Sequence, residues 1–216
     1  MIPVNAQTES LQLTGGAGLI EAARDEPPAG VERRGTVVIA HPHPLFGGTM
    51  DNKVVQTLAR AFVQCGWTAV RFNFRGVGAS AGTYDEGRSE REDMLAVVQQ
   101  VAPEGPLALA GFSFGSYVCS HVVEALWAGR SPEKVVFVGT ATTRFKVANV
   151  PVEAHQRTLV IHGESDETVP LADVIEWARP QTLPVTVVPG VGHFFHGQLP
   201  LLKGLVVRHL SAVVQP

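Results

Sequence analysis

A chain of 216 residues, 45% apolar and 17% charged, carries enough hydrophobic material to fill one core and too little charge for a disordered segment. Its 17 Lys and Arg against 20 Asp and Glu leave a net charge of -3 with no basic run longer than Arg33-Arg34, which argues against a nucleic-acid partner. No apolar stretch approaches the ~18 residues of a spanning helix, and residues 1–10 lack a positive segment followed by an apolar one, so a cytoplasmic protein with no membrane partner is expected.

The first 34 residues are the least regular. Gly15-Gly16 and Pro27-Pro28 mark turns, and residues 10–14 with 18–22 fit a leading antiparallel hairpin. From residue 35 onward strands and helices alternate. A β-branched run predicts a strand over 35–40, and apolar Val55, Leu58, Ala59, Phe62 and Val63 predict an amphipathic helix over 52–64. A strand at 67–74, a helix at 90–101, a strand at 107–110 and a helix at 113–128 follow. Strands at 134–138, 158–161 and 185–188 alternate with helices at 171–178 and 199–210. The pattern predicts an α/β class fold with a mostly parallel central sheet and helices on both faces, residues 1–216 forming one domain and 35–216 its catalytic core. Cys65 and Cys119 have neither metal-ligand spacing nor a disulfide framework, so both are expected to be plain thiols of the core.

In an open parallel sheet, groups that meet a ligand collect beyond the carboxyl ends of the strands. One such loop is Gly111-Phe112-Ser113-Phe114-Gly115, placed between a predicted strand and a predicted helix. Glycines two residues either side of a serine are what a sharp strand-to-helix turn demands, because side chains there would collide with neighbouring elements. The turn would expose the Ser113 hydroxyl and aim the amide of Phe114 at the same point, where it can hold a developing oxyanion.

A serine hydroxyl needs a base to take its proton, and an imidazole base works best when a carboxylate fixes its tautomer. The chain supplies both in the order Ser, acid, His. Asp166 lies in the loop His162-Gly-Glu-Ser-Asp166-Glu-Thr-Val-Pro170, with Glu164 and Glu167 as rivals that also fit solvated loop charges. His193 follows the last strand in a glycine-rich loop, with His196 as its rival.

The turn after the first parallel strand, His41-Pro42-His43-Pro44-Leu45, should give the second oxyanion amide. Proline has no N–H, which leaves the backbone of His43 or Leu45. A His-x-His pair also has the look of a metal ligand, but no acidic or cysteine partner stands at matching spacing, so no metal and no other cofactor is expected. The Gly76-Val-Gly78-Ala-Ser-Ala81 string imitates a dinucleotide fingerprint, yet Gly82 to Gly87 follow it where a helix would have to open. A tight structural turn fits better.

These motifs together resemble the α/β-hydrolase superfamily, in particular its small lidless bacterial serine hydrolases related to dienelactone hydrolases and carboxylesterases. The resemblance rests on His41-Pro-His-Pro with Gly47-Gly48, Phe74-Arg-Gly-Val-Gly-Ala-Ser80, the Ser113 loop, His162-Gly-x-x-Asp166-x-x-Val-Pro170 and Gly192-His193-Phe-Phe-His196. It implies Ser113 as nucleophile, Asp166 as acid and His193 as base, in agreement with the residue-level reading. Two departures stand out. Dienelactone hydrolases proper carry cysteine where this chain has Ser113, and relatives often carry Asp where it has Asn73, a change expected to touch loop packing more than chemistry.

The expected activity is therefore hydrolysis of a small carboxylic ester or thioester through an acyl-enzyme. A metabolite-binding protein on the same fold, or a small peptidase or C–C bond hydrolase, is the alternative. Residues 139–156 are too short for a sizeable cap, so an open pocket is expected, with Phe46, Phe112, Phe145 and Phe194 lining it. Oligomeric state has no signature in the sequence.

Overall fold

The β-branched runs are realised as one eight-stranded sheet in a computed structural model that describes residues 8–212. The leading hairpin is β1 (Glu9–Gly15) and β2 (Gly18–Asp25). It is longer than its local pattern predicts, because β2 continues past Ala22 to pair antiparallel with β4 (Trp67–Phe72), a partner far away in sequence. The parallel strands are β3 (Gly35–Ala40), β4, β5 (Leu107–Phe112), β6 (Lys134–Val138), β7 (Thr158–Gly163) and β8 (Val185–Val188). The spatial order is β1-β2-β4-β3-β5-β6-β7-β8.

That order places the site. The chain leaves β3 toward β4 on one side and returns to β5 on the other, so the loops leaving β3 and β5 diverge over adjacent strand ends and open a crevice there. Strand alternation feeds two cores. Val37 and Ile39 face α1 (Lys53–Gln64) and α5 (Leu199–Ser211), with Leu58, Phe62, Leu202 and Val206 packed over them. Val38 and Ala40 face the opposite way, under Met94 of α2 (Arg88–Val101), Val118 of α3 (Phe114–Arg130) and Val174 of α4 (Leu171–Ala178). Both faces being covered explains why the strands are nearly continuous apolar runs rather than alternating ones.

Several element ends differ from their local signals. β4 stops at Phe72 rather than residue 74, because the Asn73 amide turns to the Glu21 carbonyl (2.8 Å) and the Phe74 amide to Nε2 of His41 (3.0 Å). β5 runs on through Gly111 and Phe112, whose backbones pair with Phe137 and Val138. α2 begins at Arg88, where the Glu90 carboxylate accepts from the amides of Asp85 and Gly87, each at 2.8 Å. Asn73 is a loop tie: its Oδ1 accepts from the Met50 amide (2.9 Å) and its Nδ2 donates to Glu21 (2.8 Å). An aspartate there would set a second negative charge against Glu21.

Arg71, inside β4, is fully buried. Its guanidinium donates to the Met50 carbonyl (2.9 Å) and the Asp51 carboxylate (3.0 Å) and faces Asp25 at 3.4 Å. A buried cation survives only when its donors are met, and here they tie the hairpin and the entry to α1 onto the sheet beneath the site. Among the described residues no helix is long and apolar enough to cross a membrane.

Candidate active site

Ser113 sits between the end of β5 and the start of α3 at φ 56°, a left-handed conformation that costs a non-glycine residue of order 1–3 kcal/mol. The glycines make the turn possible. A Cβ on Gly111 would lie 2.4 Å from the Gly115 backbone, and one on Gly115 would lie 2.3 Å from the Ala40 carbonyl oxygen. The Ser113 amide donates to the Val138 carbonyl (2.8 Å), and the Ser116 hydroxyl, one turn into α3, donates to the Gly111 carbonyl (2.7 Å) while accepting from the Val138 amide (3.2 Å). Ser116 thus braces the turn from below. Nothing in the sequence separates it from Ser120 of the same helix, and its role shows only in the structure.

The loops after β7 and β8 are pinned to each other. A Cβ on Gly163 would lie 2.2 Å from the Val191 carbonyl oxygen, and the Ser165 amide donates to that same oxygen (2.9 Å). Glu164 accepts from the Gly190 amide (2.9 Å), which makes it a loop brace. Glu167 is exposed. Asp166 turns inward: its Oδ1 accepts from the amides of Thr168 (2.9 Å) and Val169 (2.8 Å), and its Oδ2 from Nδ1–H of His193 at 2.6 Å. With Nδ1 donating, Nε2 of His193 is the acceptor, and it lies 3.0 Å from Oγ of Ser113. His196 is exposed and three residues removed from this chain of contacts.

The electrostatics follow from burial and bonding. Burial pushes the Asp166 carboxyl up, but the hydrogen bonds from His193 and the Val169 amide outweigh it and hold the group below the usual carboxylate range. His162, beneath, donates from Nε2 to the Val169 carbonyl (2.9 Å) and lies 3.4 Å from Oδ2 of Asp166. Burial holds its pKa below the ordinary histidine value. The arrangement can therefore pass a proton from Ser113 to His193 while an anionic Asp166 faces the far side of the ring.

The loop after β3 closes the other wall. His41 is fully buried, donating from Nδ1 to the Pro42 carbonyl (2.6 Å) and accepting at Nε2 from the Phe74 amide; burial brings its pKa down to about 4. Nδ1 of His43 accepts from the Leu45 amide (3.2 Å), and its Nε2 lies 3.1 Å from the Tyr84 hydroxyl. The two histidines thus serve separate purposes within the loop. Of the two expected oxyanion amides, Leu45's is taken by this turn, and His43's has no partner among the described residues. The Phe114 amide opens α3 and so lacks an intrahelical carbonyl, at the positive end of that helix.

Between these loops lies an open cavity of about 390 Å³. Ser113 and His193 form part of its floor, and Phe46, Arg144, Phe145 and Phe194 stand around it. Phe112, expected to line it, does not: it is fully buried in the core, its ring 4.9 Å from that of His193, because the strand continues through it and directs the side chain under the imidazole. The segment after β6 carries Arg144 and no inserted cap. Nothing in the sequence singled out Arg144, a lone charge in an irregular stretch.

Comparison with known proteins gives the following. Residues 33–199 match a family model described as an alpha/beta hydrolase domain. The fold superposes on a lidless α/β serine hydrolase of Xanthomonas campestris with TM-score 0.86 and 34% identity, covering 100% of this chain and 99% of that one. An alpha-beta serine hydrolase homologue from Coxiella burnetii gives TM-score 0.81 and 36% identity over 98% of this chain and 100% of that one. The chain is also 35% identical over 95 residues to the mitochondrial palmitoyl-protein thioesterase ABHD10 of Homo sapiens, a match covering 41% of this chain and 29% of that protein. The matched stretches span only 29–41% of the length of the curated relatives.

Proposed function

The chain belongs to the alpha/beta hydrolase family, and from that premise we propose that it cleaves a small carboxylic ester or thioester, with Ser113 as nucleophile, His193 as base and Asp166 as the acid that orients the base. The observation that carries the proposal is the hydrogen-bonded series Ser113, His193, Asp166, at 3.0 and 2.6 Å, on the floor of an open cavity. The sheet, both cores and the site share one set of strands, so the chain is read as a single working domain. Thioesters stand beside esters because the partial relative from Homo sapiens is a thioesterase by name.

Oγ of Ser113 attacks the carbonyl carbon as its proton passes to Nε2 of His193. The resulting oxyanion lies against the amides of Phe114 and His43, both held in place before the substrate arrives. Asp166 stays ionised and stabilises the imidazolium, which then protonates the departing alkoxide or thiolate. Water, deprotonated by the same imidazole, attacks the acyl carbon; as the bond to Oγ breaks, the imidazolium returns the proton to Oγ, which frees the carboxylic acid and restores the Ser113 hydroxyl. A fluorophosphonate probe followed by mass spectrometry tests this. The expected adduct is on Ser113 and is lost in Ser113→Ala; folded protein that acquires none overturns the proposal.

A further inference from the structure

Arg144 carries the one fixed charge among the side chains lining the cavity, and no Asp or Glu lines it. Several arginines outside the cavity, Arg24, Arg33, Arg71, Arg75, Arg88 and Arg179, each meet a carboxylate, whereas Arg34, Arg60 and Arg130 donate to carbonyl oxygens; what sets Arg144 apart is its place in the cavity lining. Arg144 enters no ion pair among the described residues; its guanidinium lies over the face of Phe46, 5.6 Å from the ring centroid. The carboxylate that reaches this segment, Asp173, is engaged instead by the neighbouring Thr143 hydroxyl at 2.5 Å.

A guanidinium held over a ring face finds no acceptor there for its N–H groups, so they can grip a carboxylate or phosphate two at a time. It is also weakly hydrated, so stripping its water costs less than for an ammonium. Phe46 and Phe194 extend the same opening as apolar surface, 71% and 44% exposed. His43 adds no second positive charge to this wall at neutral pH, since burial and then the nearby Arg144 keep its pKa below the ordinary value.

We infer that Arg144 selects the substrate, and that the substrate carries an anionic group, carboxylate or phosphate, remote from the scissile carbonyl and joined to it by an apolar body that lies along Phe46, Phe145 and Phe194. This rests on the ester or thioester reading above. It adds the recognition of charge to a site whose remaining lining is neutral or apolar.

Two pairs of substrates test it, each corrected for spontaneous hydrolysis. In the acyl arm, the p-nitrophenyl hemiester of adipic acid is compared with its neutral methyl ester; in the leaving-group arm, 4-carboxyphenyl butyrate is compared with its methyl ester. In at least one arm the anionic member should have a kcat/KM about tenfold above its neutral partner at low salt. That ratio should fall to about one in Arg144→Gln, invert in Arg144→Glu and shrink as salt is added. Lys146→Gln, which removes an exposed charge two residues away and outside the lining, should keep the wild-type ratio. A ratio at or below one in both arms, or one unchanged in Arg144→Gln, overturns the inference while leaving the hydrolase reading standing. Folded protein that turns over none of the four esters and takes no fluorophosphonate removes both.

Discussion

At the floor of the cavity Ser113 and His193, with Asp166 behind them, are 7%, 6% and 5% exposed, and each is hydrogen-bonded to another segment: Ser113 to the Val138 carbonyl and to His193, and His193 in turn to Asp166. On its rim Phe46 is 71% exposed, and the groups it meets are the ring of His43 and the guanidinium of Arg144. The floor is over-determined. Glycines at 111, 115 and 163 stand where a methyl group would meet backbone at 2.4 Å or less, so geometry there has no slack. On the rim the backbone of Gly48 is just as confined, a Cβ there lying 2.1 Å from the Pro42 carbonyl oxygen, but the exposed side chains of Phe46, Arg144 and Phe194 project away from it and can change without moving it. The contrast implies that the floor sets whether a reaction occurs and the rim sets on what.

The largest effect should come from Asp166→Asn. The amide oxygen can still accept from Thr168 and Val169, so the loop is retained, but the substituted NH2 cannot accept from Nδ1 of His193 and leaves the ring in the wrong tautomer. An activity loss of about 10⁴-fold in kcat is expected, with the thermal midpoint shifted by only a few degrees. Steady-state kinetics and a melting curve on the same preparation check both. A loss of a few-fold would place Asp166 with the rim.

Below it in size is an acid effect on the floor's support. His41 is buried as the neutral ring, with a pKa of about 4 against an ordinary value of 6.5. The unfolded chain therefore binds the proton first as pH falls. Stability supplied by the neutral ring is intact above pH 6.5, declines between 6.5 and 4, and levels off below, a loss of roughly 3 kcal/mol from this residue. Denaturant midpoints across that window check it, and His41→Gln should flatten the slope. An equal slope in the variant would assign the acid sensitivity elsewhere.

The same contrast decides what could be read from sequence. The loops of Ser113 and Asp166 were legible because close packing forces glycines at 111, 115 and 163, and spacing is what a sequence displays. His193, whose neighbours Gly190 and Gly192 have room for a side chain, stood out by its place after the last strand. The alternation of strands and helices was legible for a similar reason, since burial on both faces writes itself as apolar runs. Phe112 misled because an aromatic at a strand end looks the same whether it faces a cavity or the core, and only the register of β5 against β6 decides. The true end of β4 depends on His41 and Glu21, both distant in the chain. That the Leu45 amide is engaged and the His43 amide is not, among the described residues, depends on where one imidazole lies, and the setting of Arg144 depends on Phe46, far away in the chain. None of these leaves a periodic trace.

The smallest expected effect is at Phe46, and it is the sharpest check on the independence of the rim. Phe46→Ala removes a ring whose centroid is 4.6 Å from that of His43 and which lies under the guanidinium of Arg144. Because the ring is mostly in solvent, its loss should alter stability by no more than about 0.5 kcal/mol. It gives up apolar contact made equally with bound ester and transition state, so KM should rise about 2- to 5-fold for longer acyl chains while kcat holds. An acyl-chain series in both proteins separates the two parameters. A fall in kcat approaching that of Asp166→Asn would mean that the His43 amide is held in place by the rim, and the line drawn between rim and floor would then have to run on the other side of the loop after β3.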